Sequence, residues 1–146
     1  MPLPELEIGL IVQYEYLWHR REGAETADKN HPACVVMTYK KKEPNPGEEN
    51  DQYVIYLPIS HSAPIGDQYG IELSDHAKRK AGLDAERQWI LISECNIDIW
   101  PHDLRQLPRK PGQFHYGHLP PSEFKYIRDA FVEFYRSKKL AQVRRY

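Results

Sequence analysis

The residues best suited to chemistry lie where predicted strands end, because side chains at strand ends can reach a shared cleft. The first predicted strand closes on a histidine and two arginines, and the second opens just after a histidine. The third ends in a serine followed by a histidine. These residues are His19, Arg20, Arg21, His31, Ser60 and His61.

A rim that combines cations with a hydroxyl group suits phosphodiester chemistry. One imidazole or guanidinium neutralises the phosphate, while another group moves protons on the attacking 2′-hydroxyl and the leaving oxygen. Ser60 and His61 do not form a catalytic pair by adjacency, since neighbouring strand residues point to opposite faces. Two other interpretations stay open: solvated loop charges, and a turn held by the hydroxyl of Ser60 or Ser62.

Several short segments rich in Ile, Val and Tyr carry the alternation typical of β-strands. Pro32 suits the opening position of the second one. The predicted strands cover residues 8–18, 33–39, 52–59 and 88–93, and residues 95–100 extend the last one or form a fifth.

Two helices are predicted between and after these strands. Ser74 is a suitable N-cap for a short helix through Ala81, and Gly82 can end it with a positive φ. A second helix starts at Pro121 or Ser122 and runs to about residue 139. Its apolar residues recur on one face: Phe124, Ile127, Phe131 and Phe134.

The remaining segments are predicted loops. The basic C-terminal segment, residues 125–146, can contact nucleic acid or an acidic partner, although such a tail is usually solvated. Residues 20–30, 40–51 and 101–117 are polar or rich in Pro and Gly. We expect one domain over residues 1–146, of mainly β (α+β) class. Four or five short strands form a small SH3-like barrel, with one inserted helix and one C-terminal helix.

Composition excludes several classes of protein. The 20 basic and 21 acidic residues give a net charge of −1, so any nucleic-acid binding must use a local patch. Mean hydropathy is −0.73 and no apolar run approaches the length of a membrane span. With no secretory signal in view, we expect a cytoplasmic protein in which Cys34 and Cys95 are reduced core thiols.

Common catalytic and metal-binding motifs are absent, including the phosphate-binding Gly-rich loop, GxSxG, HExxH and paired CxxC. A metal-dependent hydrolase that uses His102, His115 and His118 is one alternative, but the segment supplies few further ligands. We therefore expect no cofactor and no metal. Trp18 shares a strand face with Tyr14 and Tyr16 and can stack on bases, although such aromatics are more often core.

The order of segments resembles the PemK/MazF family of ribonuclease toxins over roughly residues 8–134. The resemblance is carried by GLIV at residues 9–12, HPACVV at 31–36 and VIYLPISH at 54–61. It continues in WIL at 89–91, in residues 96–104, and in GHLP at 117–120 before the final helix.

The resemblance implies a small SH3-like barrel that forms a homodimer, cleaves single-stranded RNA without metal and is neutralised by a small antitoxin. In the family, an arginine before the proline and a threonine after the strand's isoleucine serve catalysis. The matching positions here are His31 and Ser60. We hypothesise that Arg20 or Arg21 supplies the cation that the family's arginine would provide.

The leading hypothesis is therefore a metal-independent endoribonuclease of a type II toxin–antitoxin system. Its alternative is an inactive barrel of the same kind that binds RNA or a protein. The predicted catalytic residues are His31, Ser60, Arg20, Arg21 and His61, and the predicted RNA contacts are Trp18, His19 and Lys29.

Overall fold

The computed structural model describes residues 3–19 and 30–146. Within them the chain forms eight strands and two helices. Their bounds are β1 Leu10–Tyr14, β2 His31–Tyr39, β3 Tyr53–Ser60, β4 Gly70–Glu72, α1 Asp75–Ala81, β5 Trp89–Leu91, β6 Glu94–Ile99, β7 His115–His118, α2 Pro121–Arg136 and β8 Ala141–Arg144.

All the strands belong to one sheet. The main path runs β4-β5-β3-β2-β1-β7, and β6 joins it by pairing with both β3 and β8. Every pairing is antiparallel except that of β6 with β8. The mainly β, α+β class is confirmed, but the described strands do not close into a barrel, since β4 and β7 end the path unpaired to each other.

The sheet separates two clusters of buried side chains. One face of β2 buries Cys34 and Val36 against both helices, and the other buries Ala33 and Val35 in a tyrosine-rich layer. Both cysteines are buried free thiols, as predicted. This alternation is the period-two pattern of a strand covered on both faces.

Both helices form where local sequence signals place them. The Ser74 side chain accepts a hydrogen bond from Ala77 N, and Gly82 ends α1 with a φ of 82°. The predicted face of α2 is confirmed, with Phe124, Ile127 and Phe131 buried. Phe134 is only partly buried, and α2 ends at Arg136, three residues before the predicted end.

The first strand is shorter than predicted, because the backbone after Tyr14 binds side chains and a loop in place of a neighbouring strand. Glu15 N donates to Asp103 O at 3.0 Å, and Leu17 N donates to the Asn96 side chain at 2.8 Å. An acceptor that lies far away in the sequence cannot be recognised from the residues around Tyr14. The alternating pattern therefore continues past Tyr14, although the strand hydrogen bonds end there.

The predictions for two later segments were wrong. Residues 115–118, expected in a loop, form edge strand β7 beside β1. The tail expected to be solvated contains β8, which pairs in parallel with β6. The Arg145 side chain is only 17% exposed and forms ion pairs with Glu15 and Asp103. β7 lacks apolar alternation, and the alternation of β8 covers only four residues, so both strands owe their structure to the neighbours they meet.

A buried polar strip on β6 holds β1 and the segment after it. Glu94, Asn96 and Asp98 alternate with the apolar residues of β6 and are at most 4% exposed. Tyr14 Oη donates to Asp98 at 2.8 Å, and Tyr16 Oη donates to Glu94 at 3.1 Å. Such bonds offset the large cost of removing carboxylates from water.

The same strip anchors the loop after β6. Burial and the neighbouring Asp103 carboxyl raise the pKa of Asp98 to about 6. Arg145 binds Asp103 at 3.3 Å, and Arg105 N donates to Gln13 O at 2.9 Å. The loop after β6 is thereby fixed against β1.

We predict that Asp98→Asn gains stability relative to the natural protein as pH rises from 3.8 to about 6. The native pKa of Asp98 lies above its ordinary value of 3.8, so the native state binds more protons in this window. The stability of the natural protein therefore falls with rising pH there, whereas asparagine does not titrate.

The measurement is urea unfolding of both proteins across this pH range. A hydrogen bond lost in the variant lowers its free energy of unfolding by an amount that does not depend on pH. The quantity to follow is therefore how the difference between the two free energies of unfolding changes with pH. We expect this difference to grow by about 1–3 kcal/mol. A flat difference, or one that shrinks with pH, would contradict the prediction.

Candidate functional site

Most of the side chains suited to chemistry line one cavity of about 930 Å³. Its walls come from β1, the start of β2, the end of α1, β7 and three loops. The loops are residues 61–69 after β3, 82–88 after α1, and the segment around residues 107–113. A cavity of this size accommodates a nucleotide-sized ligand.

A histidine–carboxylate pair stands on the cavity wall. His61 Nε2 lies 2.9 Å from Asp84 Oδ2, and each side chain is about half exposed. An exposed pair of this kind adds little stability, but it orients the ring. When Nε2–H donates to Asp84, Nδ1 becomes the proton acceptor.

Two buried side chains hold the loop that carries Asp84. Lys78 is 4% exposed, and its Nζ donates to Ala85 O at 3.2 Å and to Glu86 O at 2.9 Å. Gln88 Nε2 donates to Asp84 Oδ1 at 3.0 Å. The other carboxylate oxygen, Oδ2, is thereby directed to His61.

His31 and Ser60 lie at adjoining ends of β2 and β3. Ala33 pairs with Pro58, two residues from His31 and from Ser60, so the two strand ends lie next to each other. His31 lines the cavity, and its ring packs edge-on against Trp18 with centroids 5.3 Å apart. Ser60 Oγ accepts a hydrogen bond from Ser62 N at 2.9 Å, which is the turn contact weighed above.

Cations and carboxylates share the cavity rim. Lys80, Arg109 and Lys110 line it and are exposed, and Asp84 and Glu86 oppose them. With neutral imidazoles these side chains give a net charge of +1. The rim can therefore attract a phosphate oxygen without being a broad basic surface.

A neutral polar group lies deeper in the cavity. Gln13, on β1, is only 4% exposed, and Tyr116 Oη donates to its Oε1 at 2.9 Å. Burial, with the Asp84 charge adding, raises the pKa of Tyr116, so its hydroxyl stays protonated as a donor. Beside it, a Cβ on Gly117 would lie 3.1 Å from Lys80 O, so only glycine lets β7 approach α1 this closely.

The predicted site residues are distributed in three ways. His31 and His61 share the cavity, whereas Ser60, the last residue of β3 and the neighbour of His61 in the chain, does not line it. Trp18 packs against Tyr16 and His31 at the adjacent strand end, and His19 N donates to Glu94 at 3.1 Å. Three predicted residues lie outside the described ranges: Arg20, Arg21 and Lys29.

The proposed trio of histidines is not assembled as a metal site. His118 Nε2 binds Glu7 at 2.7 Å. His115 Nδ1 is buried without a partner in the described ranges. Within residues 3–19 and 30–146, no three His, Cys, Asp or Glu side chains are grouped to hold a metal ion. In the same ranges no helix is both long and apolar enough to cross a membrane.

Sequence reasoning missed most of the cavity. Asp84 follows the predicted helix after Gly82, and this loop position was its only signal. Gln13 lies in a predicted strand whose residues are mostly apolar, and Tyr116 lies in a predicted loop. Their convergence depends on the pairing of β7 with β1, which no local pattern announced.

Comparisons with protein-family models, with curated proteins and with solved structures give no significant match to this chain.

We predict that Lys78→Met destabilises the protein by roughly 1–3 kcal/mol, because two loop carbonyls lose their buried donor. Lys80→Met, which removes an exposed lysine from the same helix, serves as the control and should cost less than about 0.5 kcal/mol. Urea unfolding at neutral pH measures both. Equal effects of the two substitutions would show that the loop does not depend on Lys78.

Proposed function

We propose that the protein is a metal-independent endoribonuclease that cuts single-stranded RNA through its 2′-hydroxyl. The observation that carries the proposal is the meeting of two imidazoles on one cavity, His31 and His61, the second oriented by Asp84. Two proton-transfer groups and a nearby cation are what phosphodiester transfer requires in the absence of a metal.

In the proposed reaction, His61 Nδ1 removes the proton from a 2′-hydroxyl, whose oxygen attacks the adjacent phosphorus. The bond to the 5′-oxygen then breaks, and His31 donates the proton that this oxygen needs. The products are a 2′,3′-cyclic phosphate and a 5′-hydroxyl. Charge that develops on the phosphate oxygens is stabilised by the cationic rim and by the Ser60 hydroxyl.

The cavity also suits the substrate. Lys80, Arg109 and Lys110 are exposed where a phosphate backbone would pass, while Gln13 and Tyr116 offer neutral groups further in. A local cluster of cations compensates for a whole-chain net charge of −1. Binding through so few phosphate contacts should be modest and salt-dependent.

The proposal includes the PemK/MazF relationship. Supporting it, the two positions matched to the family's catalytic residues, His31 and Ser60, lie at adjoining strand ends. β3 also changes its second neighbour from β6 to β5 along its length, as strands do at barrel corners. We therefore interpret the sheet as an opened SH3-like barrel.

The same relationship extends the proposal to partners and location. We propose a homodimer in the cytoplasm, neutralised by a small antitoxin protein within a type II toxin–antitoxin pair. Light scattering of the pure protein at several concentrations tests the dimer directly.

A second candidate is a non-catalytic module that binds RNA or a protein. It is favoured by one observation: His31 and Ser60 both make structural contacts, the first with Trp18 and the second with Ser62. In that case the cavity would bind its ligand without cleaving it.

We predict that the pure protein cuts a long unstructured RNA in the presence of EDTA, leaving 2′,3′-cyclic phosphate ends. His31→Ala and His61→Ala should each lower the rate by about 10²–10⁴-fold, because each removes a proton-transfer group. The pH–rate profile should be bell-shaped, and each variant should lose one limb of it. Gel analysis with end-group identification measures all of these.

Matched variants make the result specific. His76→Ala removes an exposed histidine of α1 outside the cavity and should leave the rate unchanged. Ser60→Ala should lower the rate without changing the shape of the pH profile. Intact RNA, with no antitoxin found in the preparation by mass spectrometry, would overturn the nuclease and favour the binding module.

A further inference from the structure

Gln13 carries an unused hydrogen-bond donor at the cavity surface. Its Oε1 accepts from Tyr116 Oη, whereas its Nε2 donates no hydrogen bond to any residue of the described ranges. Nε2 is nevertheless not among the buried unpartnered atoms, which are Tyr56 Oη and His115 Nδ1. Nε2 can therefore donate to an acceptor that enters the cavity lined by Gln13.

The amide of Gln13 has one orientation in the structure, with its oxygen toward Tyr116. A free glutamine amide can rotate and present either its oxygen or its nitrogen, so it accepts either kind of partner. Here the Tyr116 hydroxyl occupies the oxygen, and Gln13 is 96% buried on a strand hydrogen-bonded on both sides. In this orientation the amide presents a donor and not an acceptor to the cavity.

The position of this donor distinguishes it from the phosphate-binding groups. Lys80, Arg109 and Lys110 are exposed, whereas Gln13 is buried and uncharged, with the Tyr116 ring beside it. A neutral donor next to an aromatic ring suits the edge of a nucleobase, and the cations suit the backbone.

We propose that Gln13, hydrogen-bonded to Tyr116, recognises the oxygen on C4 of uracil or on C6 of guanine, so that the cavity prefers these bases over cytosine and adenine, which carry an amino group at that position. The inference rests on the proposed RNA substrate and identifies the base as the part of the RNA that the cavity recognises. Uracil O4 and guanine O6 accept hydrogen bonds, whereas the amino groups of cytosine N4 and adenine N6 donate. A fixed donor pairs with the first two and leaves the others opposed by a second donor.

The test measures binding and does not depend on cleavage. Hexamers of uridine and of cytidine, 2′-O-methylated at every position, cannot be cut through the 2′-hydroxyl. Fluorescence anisotropy of labelled hexamers gives their Kd ratio for the full chain. We expect uridine to bind about tenfold more tightly than cytidine.

Two variants alter the donor in different ways. Gln13→Glu replaces the donor by an acceptor and should remove or reverse the preference. Tyr116→Phe releases the amide, so the ratio should approach one while overall affinity changes only a few-fold. As control, Gln113→Glu adds the same charge to the same cavity and should weaken both hexamers equally, leaving the ratio intact.

Each outcome separates this inference from the nuclease proposal. RNA cleavage with equal binding of both hexamers would overturn base recognition and leave the nuclease standing. Equal weakening of both hexamers by Gln13→Glu, as in the Gln113→Glu control, would overturn base recognition by Gln13. A uridine preference without cleavage would support the inference and favour the binding module. No binding of either hexamer would overturn base recognition, and intact unmodified RNA in the cleavage assay would overturn the nuclease as well.

Discussion

The buried polar strip on β6 is the constraint on which the remaining structure depends. Carboxylates at Glu94 and Asp98 lie where the solvent is excluded, so each must be hydrogen-bonded or impose a large free-energy cost. The phenols of Tyr14 and Tyr16 supply those bonds. Meeting this requirement fixes where β1 ends and forces the chain after it across β6. The same cluster holds the C-terminal strand through Arg145.

The cavity exists because separately anchored segments meet at one point. β1 contributes Gln13, and its backbone oxygen holds the loop after β6 through Arg105 N. The loop after α1 contributes Asp84, and buried Lys78 holds that loop from the helix. Gly117 lets β7 pass close enough to α1 to close the space between them. None of these anchoring contacts involves the proposed reacting groups. The geometry of the site is therefore set by the surrounding scaffold.

Local signals explain which elements were predictable. Helix α1 carries its own N-cap at Ser74 and its own glycine stop, so its bounds were predictable to the residue. The buried face of α2 followed from spacing alone. Strands β7 and β8 carry no such signal, because His115–His118 and Ala141–Arg144 are only four residues long and contain no apolar run. An edge strand of this kind is stabilised by hydrogen bonds to its partner's backbone. The sequence of the segment does not indicate where that partner will lie.

The sequence by itself determined the mainly β class, both helices, the reduced core cysteines, and the positions of His31, Ser60 and His61 at strand ends. Those follow from periodicity, capping and composition, which act over a few residues. Only the tertiary structure decided that Asp84 orients His61, that Tyr116 fixes Gln13, and that the basic tail enters the sheet. The physical reason is that each of these contacts joins residues far apart in sequence. Such pairs meet only after burial and strand register have been satisfied throughout the sheet.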